Sequence, residues 1–300
     1  MNRTAYFFRL LLICLAGSLI AACEQKAAAT TRPQGPLLWH ITDANSTVYL
    51  FGSIHALRPG DYPLGPHIEA AYKAADVLVL EIDMSQVDQT TLRDLTLQKG
   101  LLPEGGSIQD LLSPAAYAQT EQHIANLGYD VATLNRFEPW LLSLTLLALE
   151  TQKAGFDPAQ GVDQTFSARA VADGKTIIGL ETAEYQLSLF DQMSAAVQEK
   201  FLLETLAEAA NYNAQLDTLV AAWKRGDAKA LQHLSLDSLR DYPAVYDAIV
   251  VQRNRNWVPK IEALLNDDRN YLVIVGALHL LGKDGVVQAL EDSGYEVELE

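Results

Sequence analysis

Two histidines occupy the same local pattern near opposite ends of the chain. In STVYLFGSIHAL, the apolar residues 48–51 are followed by Gly52 and, three residues later, by His55. In NYLVIVGALHLLG, the apolar residues 271–275 are followed by Gly276 and then by His279. Both runs have the length and β-branched content of buried strands, and a glycine lets the backbone turn off the sheet. Open α/β sheets bind ligands beyond the carboxyl ends of their strands, so the pattern predicts two imidazoles at one site.

A carboxylate ends a third apolar run and is the natural companion of these histidines. Glu81 lies at the end of DVLVLEI, where an acid must reach the rim of the sheet or be paired. Imidazole is the commonest metal ligand in proteins, and it also suits general acid–base catalysis near neutral pH. The sequence therefore predicts a site for a divalent metal (Mn, Co or Zn) at His55, Glu81 and His279, with an open position for water. The structural alternative for each histidine is a capping or hydrogen-bonded side chain.

Three further charged residues are weaker candidates. Glu181 follows the predicted strand KTIIGL and is a candidate general base, although a charge at a helix N-terminus explains it nearly as well. Arg253, in QRNRNW on a predicted helix, could clamp Glu81 or a substrate carboxylate, unless it lies on a solvated helix face. Asp163, in GVDQ, is predicted to cap the helix that follows.

The elements that must position these residues alternate between strands and helices. Strands are predicted over 37–41, 47–51, 76–82, 175–180, 271–275 and 295–299, the first two as a hairpin. Helices are predicted over 67–75, 90–98, 113–127, 139–153, 163–173, 183–191, 195–225, 228–233, 245–265 and 285–293. The pattern predicts an α/β domain over 37–300, with a mixed sheet built from both chain ends and helices on its faces. A large helical insertion is expected at about 88–246.

Composition and missing motifs exclude several classes of function. The 38 Asp and Glu residues outnumber the 22 Lys and Arg residues, which argues against a nucleic-acid partner because phosphate binding needs a basic face. The chain has no P-loop, no dinucleotide fingerprint, no H-E-x-x-H zincin motif and no G-x-S-x-G serine elbow. These observations exclude those classes of partner and catalytic site, and they leave the substrate open.

The N-terminal residues predict export and a lipid anchor. Arg3 and Arg9 precede a short apolar core, and residues 20–23 read IAAC, which resembles a bacterial lipobox. We expect residues 1–22 to be a signal peptide, Cys23 to carry lipid, and residues 23–36 to form a tether. The alternative is an ordinary signal peptide cleaved around Ala22, with no role for Cys23. The residue after Cys23 is Glu24, whereas an Asp at this position would signal retention in the bacterial inner membrane. The expected location is therefore the outer membrane, facing the periplasm. The lipid would be the only membrane attachment, and the mature body would contain no thiol for a disulfide or a Cys nucleophile.

Seven blocks, taken in order, resemble the TraB/PrgY/GumN family, which includes the animal TIKI proteins. They are WHITDANSTVYLFGSIHALRP, DVLVLEID, FEPW, GVDQTF, KTIIGLETAEYQ, QRNRNW and YLVIVGALHLLG, and they cover about residues 37–299. The resemblance implies a core related to the ChaN-like and erythromycin-esterase-like folds. It also implies a metal-dependent hydrolase site of His55, Glu81 and His279, with Arg253 as support. TIKI-type members are described as Mn- or Co-dependent proteases acting near peptide N-termini.

Three hypotheses of function follow. The first is a metal-dependent, peptidase-like hydrolase of the cell envelope, in which metal-bound water attacks a peptide bond. The second is an envelope protein that binds a peptide or small ligand at the same strand ends without turnover. The third is a metal-independent, esterase-like hydrolase with His55 as base. Metal dependence separates the first from the third, and product formation separates the first from the second.

Overall fold

A computed structural model describes residues 35–209, 211–240 and 242–300 of the chain. Its strands are β1 (Leu38–Thr42), β2 (Thr47–Ser53), β3 (Val77–Leu80), β4 (Thr176–Gly179), β5 (Tyr271–Gly276) and β6 (Glu298–Leu299). They form one sheet in the order β4-β3-β5-β2-β1-β6. The predicted signal peptide, Cys23 and most of the predicted tether lie outside the described residues.

Strands from the two chain ends pair directly, as predicted. β1 and β2 form an antiparallel hairpin, and β6 adds to β1 antiparallel. β2 pairs with β5 in parallel, with Ser53 opposite Gly276. β3 lies parallel to both β5 and β4. Four parallel strands therefore end at the same edge of the sheet, and the predicted mixed α/β fold is confirmed.

Helices pack on both faces of this sheet, and most of them lie between β3 and β5 along the chain, on either side of β4. They are α1 (Pro66–Ala74), α2 (Gln89–Gly100), α3 (Ile108–Leu111), α4 (Pro114–Asn126), α5 (Pro139–Lys153), α6 (Val162–Ala172), α7 (Ala183–Asp191), α8 (Ala195–Ala209), α9 (Tyr212–Lys224), α10 (Ala228–Gln232), α11 (Ser238–Arg240), α12 (Pro243–Tyr246), α13 (Gln252–Leu264), α14 (Ala277–Leu280) and α15 (Val286–Asp292). A π-helical turn, Asp247–Val251, joins α12 to α13. In the part of the chain described here, no helix combines the length and apolar character needed to cross a bilayer.

Successive residues of the central strands enter two different cores. In β5, Leu272 and Ile274 belong to the core on the side of α1, α6 and α9. Val273 and Val275 belong to the core on the side of α13 and α15. Side chains alternate between the faces of a strand, so a strand covered on both faces must be apolar throughout. The unbroken apolar run of the sequence therefore reflects burial on both faces.

The insertion helices have a smaller core of their own. The buried members of this third cluster come from α3, α4, α5 and α8, and include Ile124, Leu142 and Leu202. Because the cluster is separate from the two sheet cores, these helices form a layer beside the sheet rather than an extension of it. This arrangement agrees with the predicted helical insertion.

Three local predictions are wrong. Gly52 lies inside β2 instead of ending it, and its missing side chain leaves room for Ala277, whose Cα would be 3.0 Å from a β-carbon there. The helix predicted over 195–225 is two helices, α8 and α9. The closing strand predicted over 295–299 is only the two-residue β6, because only Glu298 and Leu299 pair with β1.

Candidate active site

The carboxyl edge of the four parallel strands carries four of the predicted site residues. His55 lies two residues beyond β2, and Glu81 directly follows β3. Glu181 lies two residues beyond β4, and His279 lies in α14, which begins directly after β5. Parallel strands present their carboxyl ends at one edge, so the topology gathers side chains that are far apart in sequence.

His55 is oriented by the first turn of α6. Its Nδ1 lies 2.7 Å from Oδ2 of Asp163, whose Oδ1 accepts a 3.0 Å hydrogen bond from Ser53 Oγ. A carboxylate only accepts hydrogen bonds, so His55 Nδ1 carries the proton and Nε2 points away from Asp163. The negative charge of Asp163 raises the pKa of His55 to about 9. The His55 side chain is 62% exposed, so solvent reaches the ring.

Asp163 is therefore not the helix cap that the sequence predicts. α6 begins at Val162 with Gly161 in the capping position, and no side chain caps it. The backbone amide of Val162 instead donates to the carbonyl of Ile54 at 3.0 Å, which fixes the start of α6 against the loop that carries His55. Asp163 therefore accepts a hydrogen bond from His55 instead of capping α6.

Glu81 is a buried carboxylate with a donor on each oxygen. Its Oε1 accepts from the backbone amide of Gly276 at 2.8 Å and lies 3.9 Å from Nε2 of His55. Its Oε2 accepts from Arg253 at 2.5 Å and from Gln186 at 3.1 Å. Burial alone would raise the pKa of Glu81, but the positive charges of His55 and Arg253 and the amide of Gly276 bring it down to about 2. Glu81 is thus ionised at neutral pH.

His279 is buried and neutral, and its two ring nitrogens have different partners. Asn254 donates its amide hydrogens to the carbonyls of His279 and Asp284, so its oxygen accepts from His279 Nδ1 at 2.7 Å. Arg253 can only donate, so Nε2 of His279 accepts from its Nη1 at 3.0 Å. Burial lowers the pKa of His279 to about 3. Nε2 of His279 therefore already accepts a hydrogen bond from the charged guanidinium of Arg253, and its lone pair is not free to bind a metal.

Arg253 joins the two glutamates beneath the site. Its Nη2 contacts Glu81 and also Glu181, at 2.6 Å, and its Nε donates to Glu181 at 2.9 Å. Trp257, one turn further along α13, donates its indole N–H to Glu181 at 2.9 Å and lies against His279, with the ring centroids 4.5 Å apart. Glu181 is thus satisfied by partners on both oxygens. Its contacts favour a positioning role, and the predicted role as general base stays a prediction.

A small cavity opens onto one side of this cluster. Its volume is about 180 Å³, and its lining comprises His55, Leu80, Glu81, Ile82, Met84, Asp163, Gln164 and Gln186. Neither His279 nor Arg253 lines it. A molecule in this cavity would therefore contact His55 and Glu81 directly. Arg253 contacts Glu81 from outside the cavity, and His279 contacts Arg253.

The donor types suit a divalent metal, but their arrangement does not provide three free ligands. A β-carbon built on Gly276 would lie 3.1 Å from His55 Nε2, 3.4 Å from Glu81 Oε1 and 3.5 Å from His279 Cδ2, so the three side chains do surround one point. Arg253, however, already donates a hydrogen bond to Nε2 of His279. Within the described ranges, no group of three or more His, Cys, Asp or Glu side chains is placed to hold a metal ion. As arranged here, the residues do not fit a three-ligand metal site.

Sequence reasoning missed four contributors to the site. Gln186, Asn254 and Trp257 were not singled out, and Asp163 was assigned to a helix cap. All four lie in the blocks GVDQTF, KTIIGLETAEYQ and QRNRNW, so the order of those blocks was the available signal. Their roles could not be read from spacing, because each acts through a residue from another part of the chain. The other histidines have contacts elsewhere; His123, for example, pairs with Glu150 at 3.1 Å.

Comparison with known proteins identifies relatives over nearly the whole described chain. A model of the TraB/PrgY/gumN family matches residues 37–299. The uncharacterized protein YbaP of Escherichia coli is 27% identical over 247 residues, which cover 82% of this chain and 88% of YbaP. A Metalloprotease TIKI homolog of Amphimedon queenslandica is 22% identical, covering 95% of this chain and 66% of its own length. Metalloprotease TIKI2 of Danio rerio is 24% identical, covering 83% and 58%. No solved structure matches the chain.

Proposed function

Since the chain belongs to the TraB/PrgY/gumN family, we propose that it is a peptidase-like hydrolase whose reaction takes place in the cavity of His55 and Glu81. The observation that carries this proposal is the pairing of His55 Nε2 with Glu81 Oε1 at 3.9 Å, with Nδ1 of His55 held by Asp163. The peptide substrate class comes from the two relatives named as metalloproteases, at 22% and 24% identity.

The two facing groups can activate a water molecule. A separation of 3.9 Å is too long for a direct hydrogen bond, and one water can bridge the two atoms. In the proposed step the water oxygen attacks the carbonyl carbon while His55 Nε2 takes a proton, which it then returns to the leaving amine. Asp163 holds His55 in the tautomer that this step needs. Because the pKa of His55 is raised to about 9, the fraction of His55 able to act as a base grows as the pH rises toward that value.

A divalent metal (Mn, Co or Zn) is the other proposed means of activating water. The support for it is the name of the distant relatives and the chemical type of the donors His55, Glu81 and His279. Such a site would require Arg253 to leave Nε2 of His279. No step of the mechanism above depends on a metal, so metal dependence distinguishes the two forms of the proposal.

One set of measurements tests the proposal. The purified chain, without a metal-binding tag, is assayed for Mn, Co and Zn content and for hydrolysis of a mixed peptide library, with and without a chelator. His55→Gln and Glu81→Gln should each abolish hydrolysis, whereas His67→Gln, which alters a histidine bonded to the carbonyl of Pro36, should not. Chelator-resistant hydrolysis supports His55 as the base, and about one equivalent of metal with chelator-sensitive hydrolysis supports the metal form.

A binding protein without turnover remains the second candidate, because the same cavity could hold a peptide or small ligand. Retention of a peptide that is recovered intact would favour it. Hydrolysis that persists in both the His55→Gln and the Glu81→Gln chains would show that the proposed site is wrong.

We also propose that the protein is attached to the bacterial cell envelope by lipid on Cys23, facing the periplasm from the outer membrane. The support is the sequence of residues 1–23 alone. Growth with labelled palmitate should yield a labelled, membrane-bound protein, and Cys23→Ala should be unlabelled and released. A Cys23→Ala protein that remains labelled and membrane-bound would show that the anchor assignment is wrong.

A further inference from the structure

A second cavity adjoins the proposed reaction cavity. Its volume is about 350 Å³, and its lining residues are Met84, Ser85, Gln89, Gln164, Ser167 and Ala168. Met84 and Gln164 also line the cavity of His55 and Glu81. The two cavities therefore meet along these two side chains, and a molecule that reacts at His55 can extend into the second one. We call this second cavity the side groove.

The walls of the side groove come from α6 and the loop after β3, which also build the reaction cavity, and from Gln89 at the start of α2. One wall is α6, from which Gln164, Ser167 and Ala168 project at helical spacing onto the same face. The other wall is the loop after β3, with Met84 and Ser85. Since α6 begins beside His55, the four-residue step from Gln164 to Ala168 leads away from the start of the helix over about 6 Å, close to the length of two residues of extended peptide.

The chemistry of the side groove suits a neutral peptide backbone. The residues that line it carry amide, hydroxyl, thioether and methyl groups, and none of them is charged. Amide side chains both donate and accept hydrogen bonds, as a peptide backbone requires. Asp83, whose carboxylate binds Ser85, and Asp88, which caps α2, lie beside the groove. These negative charges disfavour an acidic side chain there.

We propose that the side groove binds about two further residues of an extended, non-acidic peptide on one side of the bond that is cut. This inference rests on the proposed peptidase-like function, and it adds a substrate preference by length and by charge. Contacts in the side groove lie away from the reacting atoms and stabilise the bound substrate and the transition state alike. We therefore expect these contacts mainly to lower KM.

Ala168→Trp tests the inference by filling the side groove. Ala168 is exposed on α6, so a larger side chain there need not disturb the core. Neutral Ala/Ser/Gln peptides of three and of six residues are followed by mass spectrometry. Ala168→Trp should lower kcat/KM for the hexapeptide by about tenfold, a difference of about 1.4 kcal/mol, and leave that for the tripeptide within about twofold. The matched control is Ala207→Trp, which fills a cavity of about 390 Å³ near His123 and should change neither value.

A charge change tests the same groove independently of its size. Replacing two residues of the hexapeptide by Glu should weaken its use by the parent chain, and Gln89→Lys should restore part of the loss because it places a positive charge at the groove wall. The inference would be overturned if Ala168→Trp left the ratio of kcat/KM for the hexapeptide to that for the tripeptide as it is in the parent chain. It would also be overturned if Gln89→Lys used the Glu-substituted hexapeptide no better than the parent does.

Calorimetric binding of the hexapeptide separates this inference from the proposed function. Binding that Ala168→Trp weakens, without any hydrolysis by the parent, would support the side groove and refute the hydrolase. Hydrolysis without any dependence on length would support the hydrolase and refute the side groove. Neither binding nor hydrolysis of either peptide would refute both.

Discussion

Replacing Arg253 by Met removes the guanidinium that pairs with two buried carboxylates. The side chains of Arg253, Glu81 and Glu181 are 10%, 11% and 5% exposed. Breaking a buried ion pair by removing one partner costs about 3–5 kcal/mol, because the remaining charge is buried without compensation. Folded proteins are stable by about 5–15 kcal/mol, so the variant should still fold at low temperature. Met retains a long apolar side chain over Trp257, which limits the cost from lost packing.

Urea unfolding at pH 7, followed by fluorescence, measures the expected loss. A loss of this size should lower the thermal midpoint by roughly 6–20 °C for a domain of this size. Without the guanidinium the pKa of Glu81 moves up from about 2 toward its ordinary value of 4.5, so the variant loses less stability than the parent as the pH falls through this range, and its deficit should shrink between about pH 5 and pH 3. Arg255→Met, at an exposed position on the same helix, is the matched control and should change the free energy of unfolding by no more than about 0.5 kcal/mol.

Two outcomes would refute this account of Arg253. A loss below about 1 kcal/mol would show that the carboxylates do not depend on its charge. Failure of the double variant Arg253→Met/Glu181→Gln to recover part of the lost stability would show that unpaired charge is not the cause. Arg253→Lys separates charge from geometry, because Lys keeps the charge but cannot form the forked contacts with both carboxylates.

The Arg253→Met variant also tests whether Arg253 prevents a metal from binding at the site. Removing Arg253 frees His279 Nε2, leaves Glu81 Oε2 with only its Gln186 donor, and makes the site more negative. We therefore expect Arg253→Met to bind Mn²⁺ or Zn²⁺ more tightly than the parent, as measured by calorimetry. If the parent instead holds one equivalent of metal and Arg253→Met loses it, Arg253 supports the metal rather than excluding it.

Three further substitutions test the site. Asp163→Asn should lower the pKa of His55 from about 9 toward its ordinary value of 6.5 and move the alkaline rise in activity to lower pH; an unchanged NMR titration of the His55 ring would contradict this. Gly276→Ala places a methyl group 3.1 Å from His55 Nε2 and should reduce kcat at least about tenfold; full activity would show that this space is not used in the reaction. Trp257→Phe leaves Glu181 Oε2 without its indole donor and should cost about 1–3 kcal/mol in urea unfolding, and a neutral result would mean that another donor replaces it.

Much of the fold and the central residues of the site could be predicted from the sequence. Unbroken apolar runs such as LVIV identify strands buried on both faces, because burial of a whole strand demands apolar residues at every position. His55, Glu81 and His279 were predicted to share a site because each closely follows a run of this kind. The structure brings the three together, although Nε2 of His279 faces Arg253 rather than an open position. The family resemblance was also confirmed by the match over residues 37–299.

The contacts that give these residues their properties were decided only by tertiary structure. His55 and His279 occur in the same G-x-x-H pattern, yet one is 62% exposed with a raised pKa and the other is buried with a lowered pKa. The difference comes from Asp163 on α6 and from Arg253 and Asn254 on α13, which pack against the strand ends from distant parts of the chain. Local sequence determines which residues end a strand, whereas the charge and solvent around each one depend on the helices that cover it.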